Sequence, residues 1–583
     1  MLRPLLALLA INSLALSAEL SINLSHKYEG SPLHLDSFRY KTASRETYSI
    51  TRLSYLLSGF KLQKSDGTLL ELPDQHAWID LKNKTKFTLI NIPSGNYTAL
   101  HFHVGLDKAT NHLDPTKYPA NHPLSSLRNL HWTQAEGYIF LAIEGNQLME
   151  DKAKQGFVYH LANNQNLTSI SLSHPISVHG HTTANLTFNL QSLLNSPTKE
   201  QSICFQKDGN ISHSEKDDLI AKKLSHNLRS SFLLTKIESK KRPSQIINHK
   251  SLIHLPKTFT PYPFTIPRHI PIPDLPHDNP LTTERVTLGK ILFHDTRLSK
   301  DNTISCASCH QYSHALSDPR AKSLGVNQAT SLRNSMPLQN LAWKTKFFWD
   351  GRANTLRQQV LFPITDPSEM HQDLALLPGK IKDLQPLFKK AFTTPAGTNQ
   401  ITTEKITLAL EAHLLTLTSL NSKFDQSIKG NTTLTEQEQR GLKLFFTENN
   451  PRTHTRGADC FHCHSGPFFT DNSFHDTGLP SLIDNGLQRI TNKSTDQFKF
   501  LTPSLRNIEL TAPYMHDGRF QTLEQTIDHY DHAHAKTPNL DPNLSKHGKA
   551  GLQLTPQDKA DLIAFLKTLT DPKFQSQSQS SKQ

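Results

Sequence analysis

The sequence predicts a multidomain protein, an N-terminal all-β sandwich followed by mainly α-helical domains. Three observations predict it. The chain has 583 residues, more than a single hydrophobic core serves. Its apolar period changes from strand-like to helical beyond residue 279. Between the two regimes, residues 240–276 (KKRPSQIINHKSLIHLPKTFTPYPFTIPRHIPIPDLP) are proline-rich, as in an extended arm.

From 19 to 194 the pattern is one of short strands. YTALHFHVGL (97–106) and GYIFLAIEG (137–145) alternate or run apolar, with Gly, Asn and Pro between segments. A helix is predicted at SEKDDLIAKKLSHNL (214–228). Beyond the arm, TTERVTLGKILF (282–293) and TTEKITLALEAHLLTL (402–417) read as amphipathic helices. LTEQEQRGLKLFF (434–446) opens with a Thr435/Glu438 capping box, and LTPQDKADLIAFLKTL (554–569) has Thr555 as N-cap with Pro556 behind it. The divisions are 19–235 for the sandwich, 236–276 for the arm, 277–430 and 431–573 for two helical domains, and 574–583 for a disordered tail.

Residues 1–18, MLRPLLALLAINSLALSA, carry Arg3, an apolar run and small residues at the end, as a secretory signal does. No later segment is apolar enough to span a bilayer, so the expectation is an exported, periplasmic protein with no transmembrane anchor. The net charge of +12 comes from scattered Lys and Arg with no basic run interleaved with aromatics, which argues against a nucleic-acid partner. Of five cysteines, four fall in two identically spaced motifs and Cys204 stands alone, read as a buried or idle thiol.

Those motifs are CASCH (Cys306, Cys309, His310) and CFHCH (Cys460, Cys463, His464). The spacing fits covalent haem c: two sulfurs take the haem vinyls and the adjacent histidine reaches the iron. Chance produces such a motif about once in two thousand per cysteine at this composition. A structural zinc site would use four ligands together and explains neither the spacing nor the repeat. Two haem c groups are therefore expected, one in 277–430 and one in 431–573.

With the motifs placed, the C-terminal half resembles the bacterial di-haem cytochrome c peroxidase family, including its MauG (MbnH-like) branch. The matching text is LGKILFHDTRLSKDNTISCASCH, FFWDGRANTLRQQVLFPITDPSEM, CFHCHSGPFFTDNSFHDTG and TPSLRNIELTAPYMHDGRF. The resemblance implies that peroxide reacts at the first haem and that the second is low-spin and six-coordinate. It implies Trp349 as a relay between the haems, although a core tryptophan would read the same. It implies Gln359, Pro363 and Glu369 on the distal side of the peroxide haem, with Glu369 moving the proton that breaks the O–O bond. It also implies a calcium ion held by Asn334 and the carbonyls of Thr511 and Pro513.

APYMHDGRFQTLEQTIDHY (512–530) holds Met515, His516, His529 and Tyr530, all of metal-ligating type. Thr522 and Gln525 form a capping box, so a helix should begin near Leu523. Leu523, Ile527 and Tyr530 then share one face, with His529 about 100° away and predicted at the surface. Where peroxide-detoxifying members place Met as second-haem ligand, the MauG-like branch places Tyr, which implies Tyr530. A thioether raises the potential and suits electron intake, whereas a phenolate favours oxidised iron. A core tyrosine with a bonded hydroxyl is the alternative.

Residues 19–235 resemble the MbnP-like family of periplasmic copper-associated proteins, through LSYLLSGFKL, PSGNYTALHFHVGLD, HWTQAEGYIFLAIEG and FVYHL. In that family a tryptophan is oxidised to kynurenine and joins histidines around copper. Trp132 aligns with the first tryptophan of a W-T-W pattern whose second position is here Gln134, so Trp132 is the candidate target, ahead of Trp78. His101 and His103 project from one strand face and, with His160, are candidate copper ligands; solvent-facing strand histidines fit the same pattern.

Three functions are compatible. The first is a di-haem oxidase that uses hydrogen peroxide to reach a high-valent state and oxidise a tryptophan of an MbnP-like domain, in cis or in trans. The second is a cytochrome c peroxidase reducing peroxide with electrons from a small cytochrome. The third is a copper or electron carrier. Tyr530 favours the first over the second, and the distal Gln359, Pro363 and Glu369 set argues against the third.

Overall fold

The computed structural model describes residues 17–119, 121–132, 136–196, 198–240, 255–267, 269–393, 400–450, 455–548 and 550–575. Most of the predicted signal, the middle of the arm, Gln134 and the end of the tail lie outside them. The chain forms two compact units. One holds Met1–Leu113, Thr133–Ala153 and Phe157–Ile247; the other holds Asp114–Trp132, Lys154–Gly156 and Asn248–Gln583. Within the stretch 19–235, Asp114–Trp132 groups with the helical unit.

The first unit is a sandwich of two sheets. Its main strands are β1 (Ser17–Tyr28), β2 (Thr47–Lys64), β3 (Lys86–Pro93), β4 (Gly95–Val104), β5 (Ile139–Leu148), β6 (Lys154–Ala162), β7 (Thr168–Val178), β8 (His181–Asn189) and β9 (Phe232–Lys240). One sheet runs β9-β8-β1, with β3 also paired to β1; the other runs β7-β4-β2-β5-β6. β1 and β8 pair in parallel, Glu19 opposite His181 through Lys27 opposite Asn189. Alternation in β1 sends Ala18, Leu20, Ile22 and Leu24 into the core. β2 reads as a continuous apolar run because it is central and its residues 53–58 are buried on both faces. Tyr55 stacks on Phe188 at 5.4 Å, and Phe188 meets Phe232 edge-on at 5.0 Å.

The helical unit is built twice on one plan. Helix α1 (Thr283–His294) packs on α2 (Thr403–Leu415), and α3 (Glu436–Phe445) packs on a C-terminal helix, Pro556–Lys567. Both crossings turn on a glycine. A Cβ on Gly289 would lie 1.9 Å from Ala409 O, and one on Gly441 would lie 1.9 Å from Asp561 O. The capping boxes at Thr435/Glu438 and Thr555/Asp558 are formed. One expectation changes: α2 is buried all round from Lys405 to Leu415. Its Glu411 stays paired there, accepting hydrogen bonds from Arg357 and Asn279.

Each helix pair closes a separate core, the first around Leu288, Leu292 and Leu410, the second around Phe445, Phe461 and Phe565. The arm contributes Ile270 to the first core, and Trp343 Nε1 donates to Pro271 O at 2.6 Å. Asp114–Trp132 serves both, Leu127 packing on the first core and Trp132 on the second. Arg506 and Asp425 form a bidentate pair at 2.8 and 2.9 Å, with Arg506 only 2% exposed.

Gly441→Ala decides between two effects. Alanine gains about 1 kcal/mol of helix propensity over glycine. Forcing a methyl against the Asp561 carbonyl costs about 1–3 kcal/mol. The net expectation is a loss of stability, read as a lower urea midpoint with an unchanged m-value.

Candidate functional site

The two CxxCH motifs adopt the same local geometry. Cys306–Cys309 is one helical turn opened by a Ser305/Ser308 capping box, and His310 N donates to Cys306 O at 3.0 Å. In the second motif His464 N donates to Cys460 O at 2.9 Å. Each histidine then turns its ring over: His310 Nδ1 donates to Leu316 O, and His464 Nδ1 to Phe469 O, both at 3.0 Å. That fixes the tautomer with the proton on Nδ1, so Nε2 is the nitrogen each ring would offer a metal. Burial lowers both imidazole pKa values, which keeps them neutral. All five cysteines are free thiols, and burial pushes Cys306 and Cys460 up to about 12. Two thiols and an oriented imidazole, twice over, fit two covalently held haems.

The first motif opens into a cavity of about 580 Å³, in the size range of a cofactor site. Cys306, Cys309 and His310 line it together with Trp349, Gln359, Pro363 and Glu369, so residues spread over 64 positions of sequence meet in one space. Burial, reinforced by Asp366 and opposed by Arg352, raises the Glu369 carboxyl to about 7. The Trp349 indole is buried and donates to Asn334 O at 2.9 Å; its own carbonyl accepts from Leu501 N at 2.8 Å. Sequence reasoning missed Arg333, which also lines the cavity. It grips Asp484 through Nε and Nη2 at 2.6 and 2.7 Å and Asp350 through Nη1 at 2.6 Å. No local pattern marks it, because its partners are distant in sequence.

At the second motif, Leu523–Asp528 is helical behind the Thr522/Gln525 capping box, and Leu523 and Ile527 face the core. The helix then widens into a π turn over His529–Ala533. Such a turn advances each residue by a smaller angle than an α-helix, so His529 and Tyr530 both point inward. His529 is therefore not a surface residue: it is 2% exposed and donates through Nε2 to Thr477 O at 2.8 Å. Burial, then the Cys463 and Cys460 thiols beside it, push the Tyr530 phenol well above its ordinary range. His516 is also buried, stacked on Phe500 at 3.7 Å, and its carbonyl accepts from Asn334 N. Beside this site His475 sits between Asp541 (Nδ1, 2.6 Å) and Asp471 (Nε2, 2.7 Å). Burial opposes its charge, but the two carboxylates outweigh it and raise the imidazole to about 10.

The remaining sequence candidates divide. Asn334 Nδ2 donates to the Arg320 and Ala321 carbonyls at 3.3 Å. Its Oδ1 and the carbonyls of Thr511 and Pro513 accept no hydrogen bond among the described residues, as oxygens kept for a hard cation would not. The copper set is corrected. His101 and His103 lie on β4 and His160 on β6, with β2 and β5 between, a separation of about 14 Å at three strand spacings. His160 is instead held by Glu144 at 3.0 Å, and His103 by Ser169 at 3.0 Å. Trp78 Nε1 donates to Ser54 Oγ within the sandwich. Cys204 is half-buried with its thiol on Glu46.

Known proteins match both parts of the chain. A di-haem cytochrome c peroxidase family model matches residues 283–433, and an MbnP model matches 17–213. The methylamine utilization protein MauG of Methylophilus methylotrophus is 37% identical over 311 residues, covering 52% of this chain and 87% of that protein. The cytochrome c551 peroxidase of Nitrosomonas europaea is 33% identical over 313 residues, covering 52% and 84%. Among solved structures, a MauG-like protein associated with microbial copper homeostasis is 36% identical, covers 54% of this chain and 98% of its own, and superposes with a TM-score of 0.47.

The His475 clamp carries a pH signature. A group whose folded pKa is raised stabilises fully below its ordinary value and loses that contribution as pH rises through the folded one. Unfolding free energy should therefore fall between about pH 6.5 and about 10, and a His475→Gln chain should lack that slope in urea titrations across the range.

Proposed function

The chain belongs to the di-haem cytochrome c peroxidase family, and from that premise we propose that it directs the oxidising power of hydrogen peroxide onto its own Trp132 rather than onto a small cytochrome. Cys306, Cys309 and His310 would hold one haem c, and Cys460, Cys463 and His464 the other. When bound, the haems supply the redox chemistry that couples reduction of peroxide to oxidation of a side chain. Tyr530 would join His464 in holding the iron of the second haem, where a phenol oxygen would favour the oxidised metal. Asn334, Thr511 and Pro513 would hold calcium between the domains that carry the haems. The protein would be exported; among the described residues no helix is long and apolar enough to cross a membrane.

Glu369 is the proton mover. Half-buried with Gln359 and Pro363 in the cavity lining, with its pKa near 7, it takes a proton from peroxide as carboxylate and returns it to the leaving oxygen as acid. Trp349 lines the same cavity, its indole braced by the Asn334 carbonyl and its main-chain carbonyl bonded to the strand Lys499–Leu501, and would be the aromatic step between the two. Conversion of an indole to N-formylkynurenine inserts two oxygen atoms, a four-electron oxidation that takes two peroxides and releases two waters. Hydrolysis then yields kynurenine and formate.

One observation carries the choice of target. Trp132 packs against the core that includes Phe461 of the second haem motif, within the helical unit. Trp78 is held inside the sandwich instead. A tryptophan already seated against a haem motif needs no diffusional encounter to react.

Tryptic mass spectrometry of haem-loaded chain before and after peroxide should show the N-formylkynurenine or kynurenine mass on the peptide holding Trp132 and none at Trp78. An unmodified Trp132 with rapid oxidation of reduced cytochrome c would return the protein to peroxide disposal. The rate of reaction with peroxide should rise with pH through about 7, as Glu369 becomes the base. Glu369→Gln should abolish that dependence and slow the reaction by about 10²–10⁴-fold. Tyr530→Phe should convert the second haem's low-spin spectrum to high-spin.

A further inference from the structure

We infer that Asn129 is a positioning residue, a clamp that seats the Asp114–Trp132 segment on the second CxxCH motif and makes oxidation of Trp132 a reaction within one chain. This rests on the reading that Trp132 is the target.

Asn129 sits in the left-handed region (φ 53°), at the end of the short turn Ser126–Arg128, where asparagine is tolerated and most side chains are not. Both ends of its amide are used on the motif. Nδ2 donates to Asp471 O at 3.0 Å, and Oδ1 accepts from Ser465 Oγ at 2.7 Å. These partners are not arbitrary surface groups. Ser465 directly follows His464, and Asp471 N donates to Cys463 O at 2.8 Å, so both belong to the turn that carries the iron ligand. They lie 336 and 342 residues from Asn129, so nothing local in the chain imposes the contact.

The segment is shaped to make that seat. Ser125 N and Arg128 Nε both donate to His122 O, which holds the approach to the clamp in one conformation. The Ser126 carbonyl comes so close to Gly466 that a Cβ there would lie 3.1 Å away. Leu127 is anchored on the first core, and Trp132, three residues beyond the clamp, packs on the second. A side chain held by two directed hydrogen bonds and two apolar anchors is presented at a fixed distance and angle. Misplacement by about 1 Å can cost on the order of 100-fold in rate. A tryptophan of a second chain would have to displace a tethered competitor whose effective concentration is on the order of millimolar.

The test uses the full-length, haem-loaded chain treated with peroxide, with modification at residue 132 followed by peptide mass spectrometry. In the parent chain the first-order rate constant should not change on dilution. Asn129→Ala should slow modification of Trp132 by about tenfold or more, and Asn129→Asp, which keeps an acceptor for Ser465, should recover part of it. A haem-loaded Trp132→Phe chain mixed with a Cys306→Ala/Cys460→Ala chain that retains Trp132 should leave the latter unmodified. Parent-like rates in Asn129→Ala, or oxidation passing to the haem-deficient chain, would overturn the clamp while leaving Trp132 as the target. An unmodified Trp132 in the parent chain overturns both.

Discussion

The bond from each motif histidine's Nδ1 to a carbonyl five or six residues on is what the rest of the helical unit depends on. It fixes which nitrogen carries a proton, turns Nε2 toward the site and closes the loop after the motif into a rigid turn. At the first, the same fold that orients His310 leaves a cavity into which Glu369 and Trp349 are carried from other loops. At the second, the turn supplies Ser465 and Asp471, the two groups that hold Asn129.

Electrostatics then separates the two halves. The first cavity holds a carboxyl that burial has brought to the neutral range, where it can both accept and return a proton. Near the second motif two titratable groups are pinned instead: His475 is kept charged by two carboxylates, and Asp425 is held well below the usual carboxylate range, against the pull of burial, by His269 and Arg506. Arg333 joins the loop following Trp349 to the Asp484 loop through a buried, doubly paired guanidinium.

Periodicity and capping carried much of the architecture. Helix starts at Thr435, Thr522 and Thr555 were legible because a capping hydroxyl acts on residues within one turn. The inward direction of Tyr530 was legible from the Leu523/Ile527 face, but the burial of His529 was not, because the π turn that follows changes the angle per residue. The all-round burial of α2 was hidden for a related reason: its polar residues Thr407 and Glu411 mark one face in sequence, yet each finds a partner inside.

By itself the sequence determined the attachment chemistry, since two thiols and an imidazole within five residues are confined to one turn whatever surrounds them, and it determined the order of β and α regions, since periodicity is local. Only the tertiary structure decided what meets those motifs. It separated His101 and His103 from His160, because strand order rather than sequence spacing sets distance across a sheet. It moved Asp114–Trp132 out of the sandwich and onto the helical unit, through hydrogen bonds spanning more than half the chain. The physical reason is the same in both cases: a contact between distant residues is paid for by the packing of whole elements, and no short stretch of residues records it.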